Sequence, residues 1–346
     1  MRLFGRRSTP LSDAPAVGRE LILADLDGVV YRGNEPIAHA VTQLNRAASE
    51  LRVGYLTNNA SRTDHAVAAQ LAGFGLTLDA KDIVTSPQAA VALLSQTVAP
   101  GSLVLVVGGD GLVDELTKAG FAVTRNASDR PAAVVQGFAP HVGWEHLAEA
   151  SFALAERPGE PELPWIATNT DWTLPLERGL APGNGTLVSA VHTAVHRLPV
   201  FAGKPEPAIF EAAFARFGTR NALMVGDRLD TDMKGARAAG IASLHVLTGV
   251  DRPKQLVAAS SDMRPDYIVP NLEGLFEPYP ETKMSADGTA QVGSARVRMN
   301  GHIVEILDDG DSAINLLRAG CAAIWASGLA IYALKVPEQL YEDHWQ

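Results

Sequence analysis

Two aspartates one residue apart follow an apolar run in the stretch LILADLDGVVYRG, residues 21–33. A carboxylate at the end of a strand can coordinate a hard cation and can attack electrophilic phosphorus, and we assign both roles to Asp25. Asp27 projects to the same side if the chain stays extended, so it can protonate a leaving oxygen. Gly28 permits a tight turn and offers a backbone N–H to a phosphate oxygen. The stretch therefore has the groups that phosphoryl chemistry needs.

Two crowded carboxylates and a phosphate dianion need a cation to balance their charge. The later segment Gly-Asp-x-x-x-x-Asp supplies Asp227 and Asp232 as further oxygen ligands. Oxygen-only ligands that leave room for water and substrate phosphate suit Mg²⁺. We therefore predict a magnesium site built on these aspartates.

Two more polar segments complete the predicted phosphate site. Lys204, in Gly-Lys-Pro, offers a positive charge to the phosphate. The hydroxyl of Thr57 and the amide groups around Asn58 and Asn59 complete a cradle for the phosphate oxygens. Taken singly, each segment has an ordinary alternative: a turn for Asp-Leu-Asp-Gly, a helix cap for Thr57 and an exposed loop cation for Lys204. Their common position after apolar runs favours the functional interpretation.

Those apolar runs predict the strands that position the site. The chain alternates short apolar runs with helical patterns, which is typical of βαβ units and an α/β fold with a Rossmann-like parallel sheet. The core runs are LILAD (21–25), VGYLT (53–57), VFAGK (200–204), LMVGD (223–227) and ASLHVLTG (242–249). The carboxyl ends of such strands meet at one edge of the sheet, where ligands bind. The sequence thus predicts one shared site.

The remaining sequence predicts further domains around this core. Residues 86–197 have their own α/β rhythm and interrupt the core series, so we predict an inserted domain there, with the core at 18–85 and 198–284. Residues 1–17 are polar and aperiodic, and we expect a flexible arm. Residues 285–346 predict a small ββαβ extension, with a linker near 280–293 and a final strand at LAIYALKV (329–336). Such a small unit should dock on the main body or on a second subunit.

Composition limits the classes of partner. The chain has 346 residues, 47% of them hydrophobic, and a net charge of −10. A basic patch for nucleic acid is not expected, and no run is long or apolar enough to predict a membrane span or signal peptide. The single cysteine, Cys321, excludes an internal disulfide and predicts a reducing, cytoplasmic setting.

These motifs resemble the haloacid dehalogenase superfamily over residues 18–280. The resemblance implies Asp25 as nucleophile and Asp27 as general acid and base. It implies that Mg²⁺ binds Asp25, Asp227 and the backbone carbonyl of Asp27. Asp232 would assist through water or from a second layer of contacts. Members that act on carbon–halogen bonds typically lack the second aspartate, so Asp27 favours a phosphatase.

The insert is similar to the type-two α/β cap of the p-nitrophenyl phosphatase-like branch, and a cap of this kind selects the substrate. Candidate selecting residues are Asn169, Asp171, Trp172 and the Gly-Asn-Gly turn at 183–185. The alternative is that Asn169 and Asp171 only cap a loop and that Trp172 packs.

The resemblance implies a small phosphorylated metabolite as substrate, with glycerol 3-phosphate first. Phosphoglycolate, pyridoxal phosphate and nucleotides are alternatives within the branch. A phosphotransferase or mutase, and a sensor that binds phosphate without turnover, are alternatives of other classes. A homodimer also remains open.

Overall fold

The computed structural model describes residues 11–176 and 178–344. The strands are β1 (Leu11–Ser12), β2 (Leu21–Ala24), β3 (Tyr31–Arg32), β4 (Glu35–Pro36), β5 (Arg52–Thr57), β6 (Ile83–Thr85), β7 (Leu103–Val107), β8 (Ala122–Thr124), β9 (Ala133–Gln136), β10 (Trp165–Ala167), β11 (Thr173–Leu176), β12 (Gly179–Pro182), β13 (Val200–Phe201), β14 (Ala222–Gly226), β15 (Ala242–Val246), β16 (Tyr267–Val269), β17 (Tyr279–Pro280), β18 (Thr282–Met284), β19 (Thr289–Val292), β20 (Ala295–Asn300) and β21 (Ile303–Asp308).

The helices are α1 (Ala40–Glu50), α2 (Asp64–Gly73), α3 (Ser86–Leu94), α4 (Asp110–Lys118), α5 (Trp144–Leu154), α6 (Asn184–Val195), α7 (Pro207–Phe217), α8 (Lys234–Ala239), α9 (Pro253–Val257) and α10 (Ala313–Ser327). The chain divides into two compact units. Unit 1 holds the described residues up to 51 and those from 221 onward, and unit 2 holds residues 52–220. The predicted domain limits at 85/86 and 197/198 stay predictions.

Unit 1 contains parallel strands in the order β16, β15, β14, β2. All four residues of β2 and all five of β14 are buried. Strands covered on both faces read as continuous apolar runs, which is why these two were visible in the sequence. The structure confirms the predicted α/β class and places Asp25 and Asp227 directly after neighbouring strands.

Unit 2 contains two groups of parallel strands. Strand β5 pairs with β6, and a separate sheet has the order β13, β10, β9, β7, β8. Helices α5 and α6 cover one face of that sheet, and their apolar residues form a core with Val134, Trp165 and Ala167. This separate sheet gives residues 103–201 their own α/β layer.

Strand β13 is a correction to the predicted core series. The sequence predicts VFAGK in the core sheet, but Val200 pairs with Ile166 in the sheet of β10. Two backbone bonds extend this pairing beyond the strand, from the N–H of Ala202 to Ala167 and from the N–H of Gly203 to Thr168. Because β13 has only two residues and Val200 is exposed, its sequence pattern does not indicate which strand it pairs with.

The C-terminal extension also differs from the predicted ββαβ order. The expected linker contains β18 and β19, and β18 to β21 form an antiparallel sheet against α10. The predicted final strand at 329–336 is wrong: a 3₁₀ turn occupies Ile331–Ala333, and only Lys335 forms a β-bridge, to Ile303. The apolar residues Ile331 and Leu334 pack on the core instead of extending the sheet.

The extension shares one hydrophobic core with the rest of unit 1. Leu229, Leu256 and Ile268 belong to the same buried cluster as Leu317 and Ile324 of α10. A hydrogen bond joins the same elements, because the indole N–H of Trp325 in α10 donates to the carbonyl of Leu256 in α9 at 3.1 Å. The expected docking on the main body is therefore observed.

The flexible arm predicted for residues 1–17 is not observed at residues 11–16. Residues 1–10 of the expected arm lie outside the described residues. Residues 11 and 12 pair with β17, and Ala16 is buried and donates its N–H to Leu275. Residues 11–16 are thus attached to unit 1 by backbone pairing, which the polar composition did not indicate. Among the described residues, none of the helices has the length and apolar character needed to cross a membrane.

Candidate active site

Three carboxylates meet at the carboxyl ends of β2 and β14 in unit 1. One oxygen from each of Asp25, Asp227 and Asp232 lies within 4.8 Å of the others. Asp227 and Asp232 are buried, and Asp25 is half-buried. Like charges at this separation repel strongly in a protein interior, so the trio gains from a bound cation. A set of oxygen donors fits a hard divalent ion, and these residues therefore suit Mg²⁺.

Two glycines make room for the carboxylate of Asp227. A Cβ added at Gly28 would lie 2.3 Å from Asp227 Oδ2, and one added at Gly249 would lie only 1.8 Å from the same atom. Gly28 also has φ +80°, a value that favours glycine. Its N–H, however, donates to the carbonyl of Tyr31 at 2.8 Å. This corrects the expectation that the Gly28 N–H is available to phosphate, and the close approach of Asp227 explains the glycine instead.

The connection between β15 and α9, residues 247–252, holds Asp227 in place. The N–H of Val250 donates to Asp227 Oδ2 at 2.6 Å, and the N–H of Asp251 donates to the carbonyl of Asp227 at 3.1 Å. Asp251 Oδ2 in turn accepts the N–H of Leu229 at 2.6 Å. Sequence reasoning missed this connection, although Asp251 follows the carboxyl end of a predicted core strand.

A buried histidine supports the same connection. His245 Nε2 lies 2.9 Å from the carbonyl of Asp251, and because a carbonyl only accepts, Nε2 carries the hydrogen. Burial lowers the pKa of His245 to about 4, so the ring is neutral near pH 7. Burial also raises the pKa of Asp251. No motif in the sequence singles out His245, which lies within β15.

Asp232 is placed by a π-helical turn that spans Leu229–Met233. The N–H of Arg228 donates to Asp232 Oδ2 at 3.1 Å, and the N–H of Asp232 returns to the carbonyl of Arg228. A Cβ at Gly226 would lie within 2.5 Å of the Asp232 carboxylate. The glycine before Asp227 therefore gives Asp232 its space.

Asp27 is more exposed than the three clustered aspartates. Its side chain is exposed, and the hydroxyl of Tyr31 donates to Asp27 Oδ2 at 3.2 Å. Tyr31 is itself buried, which fixes the position of its hydroxyl. Tyr31 was not among the predicted site residues, although it stands four residues after Asp27 in the same motif.

In unit 2, Asn58 connects several of the predicted residues. Its side-chain amide donates to Asp171 Oδ1 at 3.1 Å and to the carbonyl of Lys204 at 3.0 Å, and its Oδ1 accepts the N–H of Lys204 at 2.9 Å. Its backbone carbonyl accepts bonds from Ser86 and Asn169. The Asn58 side chain thus organises this part of unit 2, a role that the sequence did not indicate.

Thr57, Asn59 and Lys204 were the other predicted phosphate contacts. Thr57 is buried, and its hydroxyl oxygen accepts the N–H of Asn59 at 3.1 Å, which leaves the hydroxyl hydrogen to donate elsewhere. Asn59 is exposed, and its Oδ1 accepts both the N–H and the hydroxyl of Ser61. Lys204 is buried, with Nζ 3.3 Å from the carbonyl of Leu56. Burial and this bond hold the Lys204 amino group at a fixed position.

The three candidate selecting residues differ in their environments. Asn169 is buried and uses its side chain within the loop, where it donates to the carbonyl of Asn58 at 2.7 Å and accepts the N–H of Asp171 at 3.1 Å. Asp171 is half-buried against Asn58. Trp172 is 63% exposed and therefore does not pack as the alternative interpretation expected. The surroundings of Asn169 match the loop-capping alternative, whereas Trp172 is accessible.

A second acidic cluster lies in unit 2, at Asp64, Asp114 and Glu115. Lys118 Nζ lies 3.3, 2.7 and 3.0 Å from the three carboxylates. Burial lowers the pKa of Lys118, but the bonds to Asp114 and Glu115 outweigh that effect and raise it. The lysine supplies the charge that a metal ion would supply, so this cluster is a salt-bridge network.

Comparison with known proteins agrees with the motifs. Residues 22–122 match the family model for haloacid dehalogenase-like hydrolases, and residues 201–275 match a second one for HAD-hydrolase-like proteins. The chain belongs to the haloacid dehalogenase-like hydrolase family, which confirms the predicted resemblance.

Its relatives include phosphatases. The chain is 43% identical over 321 residues to a D-glycerol 3-phosphate phosphatase of Mycobacterium tuberculosis, a match that covers 90% of this chain and 87% of the relative. A crystal structure of a glycerol phosphate phosphatase from the same organism, in complex with magnesium, has a TM-score of 0.83 at 39% identity and covers 94% of this chain and 95% of that one. A p-nitrophenyl phosphatase of Archaeoglobus fulgidus has a TM-score of 0.68 at 26% identity, with 75% and 98% covered.

Proposed function

We propose that this protein is a Mg²⁺-dependent phosphomonoester hydrolase that releases glycerol and phosphate from glycerol 3-phosphate. The observation that carries the proposal is the trio Asp25, Asp227 and Asp232, with Asp27 two residues beyond the first of them. The 43% identity to a D-glycerol 3-phosphate phosphatase over most of both chains supports the choice of substrate. The single cysteine, Cys321, which is buried, is consistent with a reducing compartment such as the cytoplasm.

Asp25 is the nucleophile in this scheme. An oxygen of Asp25 forms a bond to phosphorus as the bond from phosphorus to the ester oxygen breaks, and Asp27 gives its proton to that departing oxygen. In the second half, Asp27 takes a proton from water, whose oxygen attacks phosphorus and releases Asp25. Bound Mg²⁺ supplies positive charge that offsets the crowded carboxylates and draws electron density from the phosphoryl oxygens.

The remaining roles follow from the environments of the side chains. We assign Lys204 and the hydroxyl of Thr57 to the phosphoryl oxygens, since a buried ammonium and a donor hydroxyl both suit anionic oxygen. The Asn58 and Asn59 side chains are engaged in the loop, so we assign Asn58 to the placement of Lys204. Asp171 and Trp172 are the residues we assign to the polyol part of the substrate.

Substrate choice is tested with a panel. Glycerol 3-phosphate, phosphoglycolate, pyridoxal 5′-phosphate and a nucleoside monophosphate are incubated with and without Mg²⁺, and free phosphate is measured. We expect the highest kcat/KM for glycerol 3-phosphate and no release after chelation of Mg²⁺. The Asp25→Asn protein, purified in parallel, controls for contaminating phosphatases. Intact substrates throughout, with Mg²⁺ present, would contradict the enzyme proposal, and phosphate transfer to another acceptor would indicate a phosphotransferase.

Tyr31→Phe should lower kcat by roughly three- to tenfold and leave KM almost unchanged. The reason is that the lost hydroxyl orients Asp27, which acts on the proton and not on ground-state binding. Steady-state kinetics with glycerol 3-phosphate separates the two constants. Tyr332→Phe is the matched control, because Tyr332 is 92% exposed on the extension. Equal kcat values for the two variants would remove Tyr31 from the scheme.

A further inference from the structure

A carboxylate near the end of the extension is bonded to an arginine that precedes α9. Arg252 Nε donates to Asp343 Oδ2 at 2.7 Å, and the terminal nitrogen Nη2 donates to Asp343 Oδ1 at 2.5 Å. The two side chains are only 19% and 23% exposed. Paired, parallel bonds between guanidinium and carboxylate fix orientation as well as distance. Asp343 therefore determines where the Arg252 guanidinium lies.

The same guanidinium ties the ends of the 247–252 connection together. Arg252 Nη1 donates to the carbonyl of Leu247, and the backbone N–H of Arg252 donates to Gln255 Oε1 at 3.1 Å. One side chain thus spans the first and last residues of the connection and the C-terminal segment. Loss of Asp343 would leave the guanidinium without two of these bonds.

That connection also carries the contacts to the metal-site carboxylate. Between Leu247 and Arg252 lie Val250, whose N–H bonds Asp227 Oδ2, and Asp251, whose N–H bonds the carbonyl of Asp227. Gly249, which gives Asp227 its space, lies there as well. A shift of this short segment would therefore move the donors that orient Asp227. Residues that orient a metal ligand affect metal affinity without touching the metal.

The C-terminal segment is held firmly enough to act as a fixed point. Leu340 is buried in the shared core, and a Cβ added at Gly320 of α10 would lie 2.8 Å from Leu340 Cδ2. Leu340 closes a 3₁₀ turn at Glu338–Leu340, and Asp343 follows three residues later. The shared core therefore fixes the chain just before the carboxylate that Arg252 meets.

We propose that Asp343 is a positioning residue for the metal site, acting through Arg252 and the 247–252 connection. The extension is then part of the metal-binding apparatus of the core. This inference rests on the proposed magnesium site at Asp25, Asp227 and Asp232, and it assigns the extension a task beyond that site.

The test compares Asp343→Asn with Glu342→Gln in the full chain. Both variants remove one negative charge, but Glu342 is exposed and pairs with His344. Mg²⁺ binding is measured directly by titration calorimetry, and the Mg²⁺ concentration for half-maximal activity is measured in parallel. We expect Asp343→Asn to weaken Mg²⁺ binding by roughly fivefold, less than the loss of a direct neighbour of a ligand causes. Glu342→Gln should bind Mg²⁺ as the unchanged protein does, and its kcat at saturating Mg²⁺ should be unaltered.

Arg252→Gln and the double variant complete the experiment. If Asp343 acts through Arg252, the double variant binds Mg²⁺ no more weakly than Arg252→Gln alone, because the partner is already gone. Asp343→Glu should recover part of the affinity, since it restores the carboxylate. Unchanged affinity in Asp343→Asn, or fully additive losses, would overturn the inference. Failure of the unchanged protein to bind Mg²⁺ would instead contradict the proposed function.

Discussion

The Asp25→Asn protein is expected to release phosphate from glycerol 3-phosphate about a thousandfold more slowly than the unchanged protein, or slower still. The amide cannot attack phosphorus, and it also removes one of the three clustered charges. Folding should survive, because asparagine has nearly the same shape and Asp25 is only half-buried. Phosphate release is measured at saturating Mg²⁺, and thermal unfolding is recorded on the same preparation.

Asp27→Asn is the informative partner of this variant. With p-nitrophenyl phosphate, whose phenolate leaves without much help from an acid, the first half of the reaction should still proceed. The second half should stall, because no carboxylate remains at that position to take the proton from water. A burst of p-nitrophenol followed by slow turnover is therefore expected for Asp27→Asn and no burst for Asp25→Asn. A burst in Asp25→Asn, or normal turnover, would show that another group is the nucleophile.

The Asp227→Asn protein is expected to bind Mg²⁺ more than about a hundredfold more weakly. An asparagine oxygen can still accept the N–H of Val250, so the local structure is kept while one ligand charge is lost. Calorimetric titration measures the affinity. In the absence of Mg²⁺ the variant should be no less stable to heat than the unchanged protein, because one repelling charge has been removed from the buried cluster.

Asp230→Asn provides the matched control for that experiment. Asp230 lies three residues away, and its carboxylate is mostly exposed and pairs with Arg228 at 2.9 Å. The same change of charge at this position should leave Mg²⁺ affinity within about twofold. If both variants bind equally well, the metal does not bind at Asp227.

The metal-site aspartates can be predicted because the pattern that marks them, an apolar strand directly before the aspartate, lies in the neighbouring sequence. Asp25 and Asp227 each follow a strand that is buried along its whole length, and such strands are the clearest signal in a sequence. Parallel pairing then brings their ends together without further information. The expected α/β fold and the carboxylate cluster both rest on this simple geometry.

The positions of other residues depend on long-range contacts that no local pattern encodes. Asn58 bonds Asp171 and Lys204, which lie 113 and 146 residues away in the chain. The sequence predicts Asn58 near the phosphate because it follows Thr57. No local pattern shows that the side-chain amide of Asn58 instead bonds Asp171 and Lys204. The strand β13 is predicted in the wrong sheet for the same reason, because a pattern of two residues does not identify the neighbouring strand.

In the extension, the sequence pattern misses one hairpin and predicts one strand that does not form. The sequence predicts Asp287 and Gly288 as part of a linker, but they form the turn between β18 and β19, where Asp287 accepts bonds from Thr289 and Gly288 has φ +80°. An Asp-Gly pair between short strands is a hairpin signal, and it was missed because the flanking strands are short and β18 is exposed. The strand predicted at 329–336 is wrong in the opposite sense, because Ile331 and Leu334 are only partly buried against the core, and Leu329 and Tyr332 are exposed.

The shared core of unit 1 constrains how proteins of this kind can gain or lose the extension. A chain that ended at residue 284 would leave Leu229, Leu256 and Ile268 without the neighbours that α10 provides. Recombination at that point would therefore yield a protein with a newly exposed hydrophobic patch that favours aggregation, unless several substitutions arose together. Relatives that naturally end there should carry more polar residues at these three positions, so the extension and the surface beneath it should be inherited as a pair.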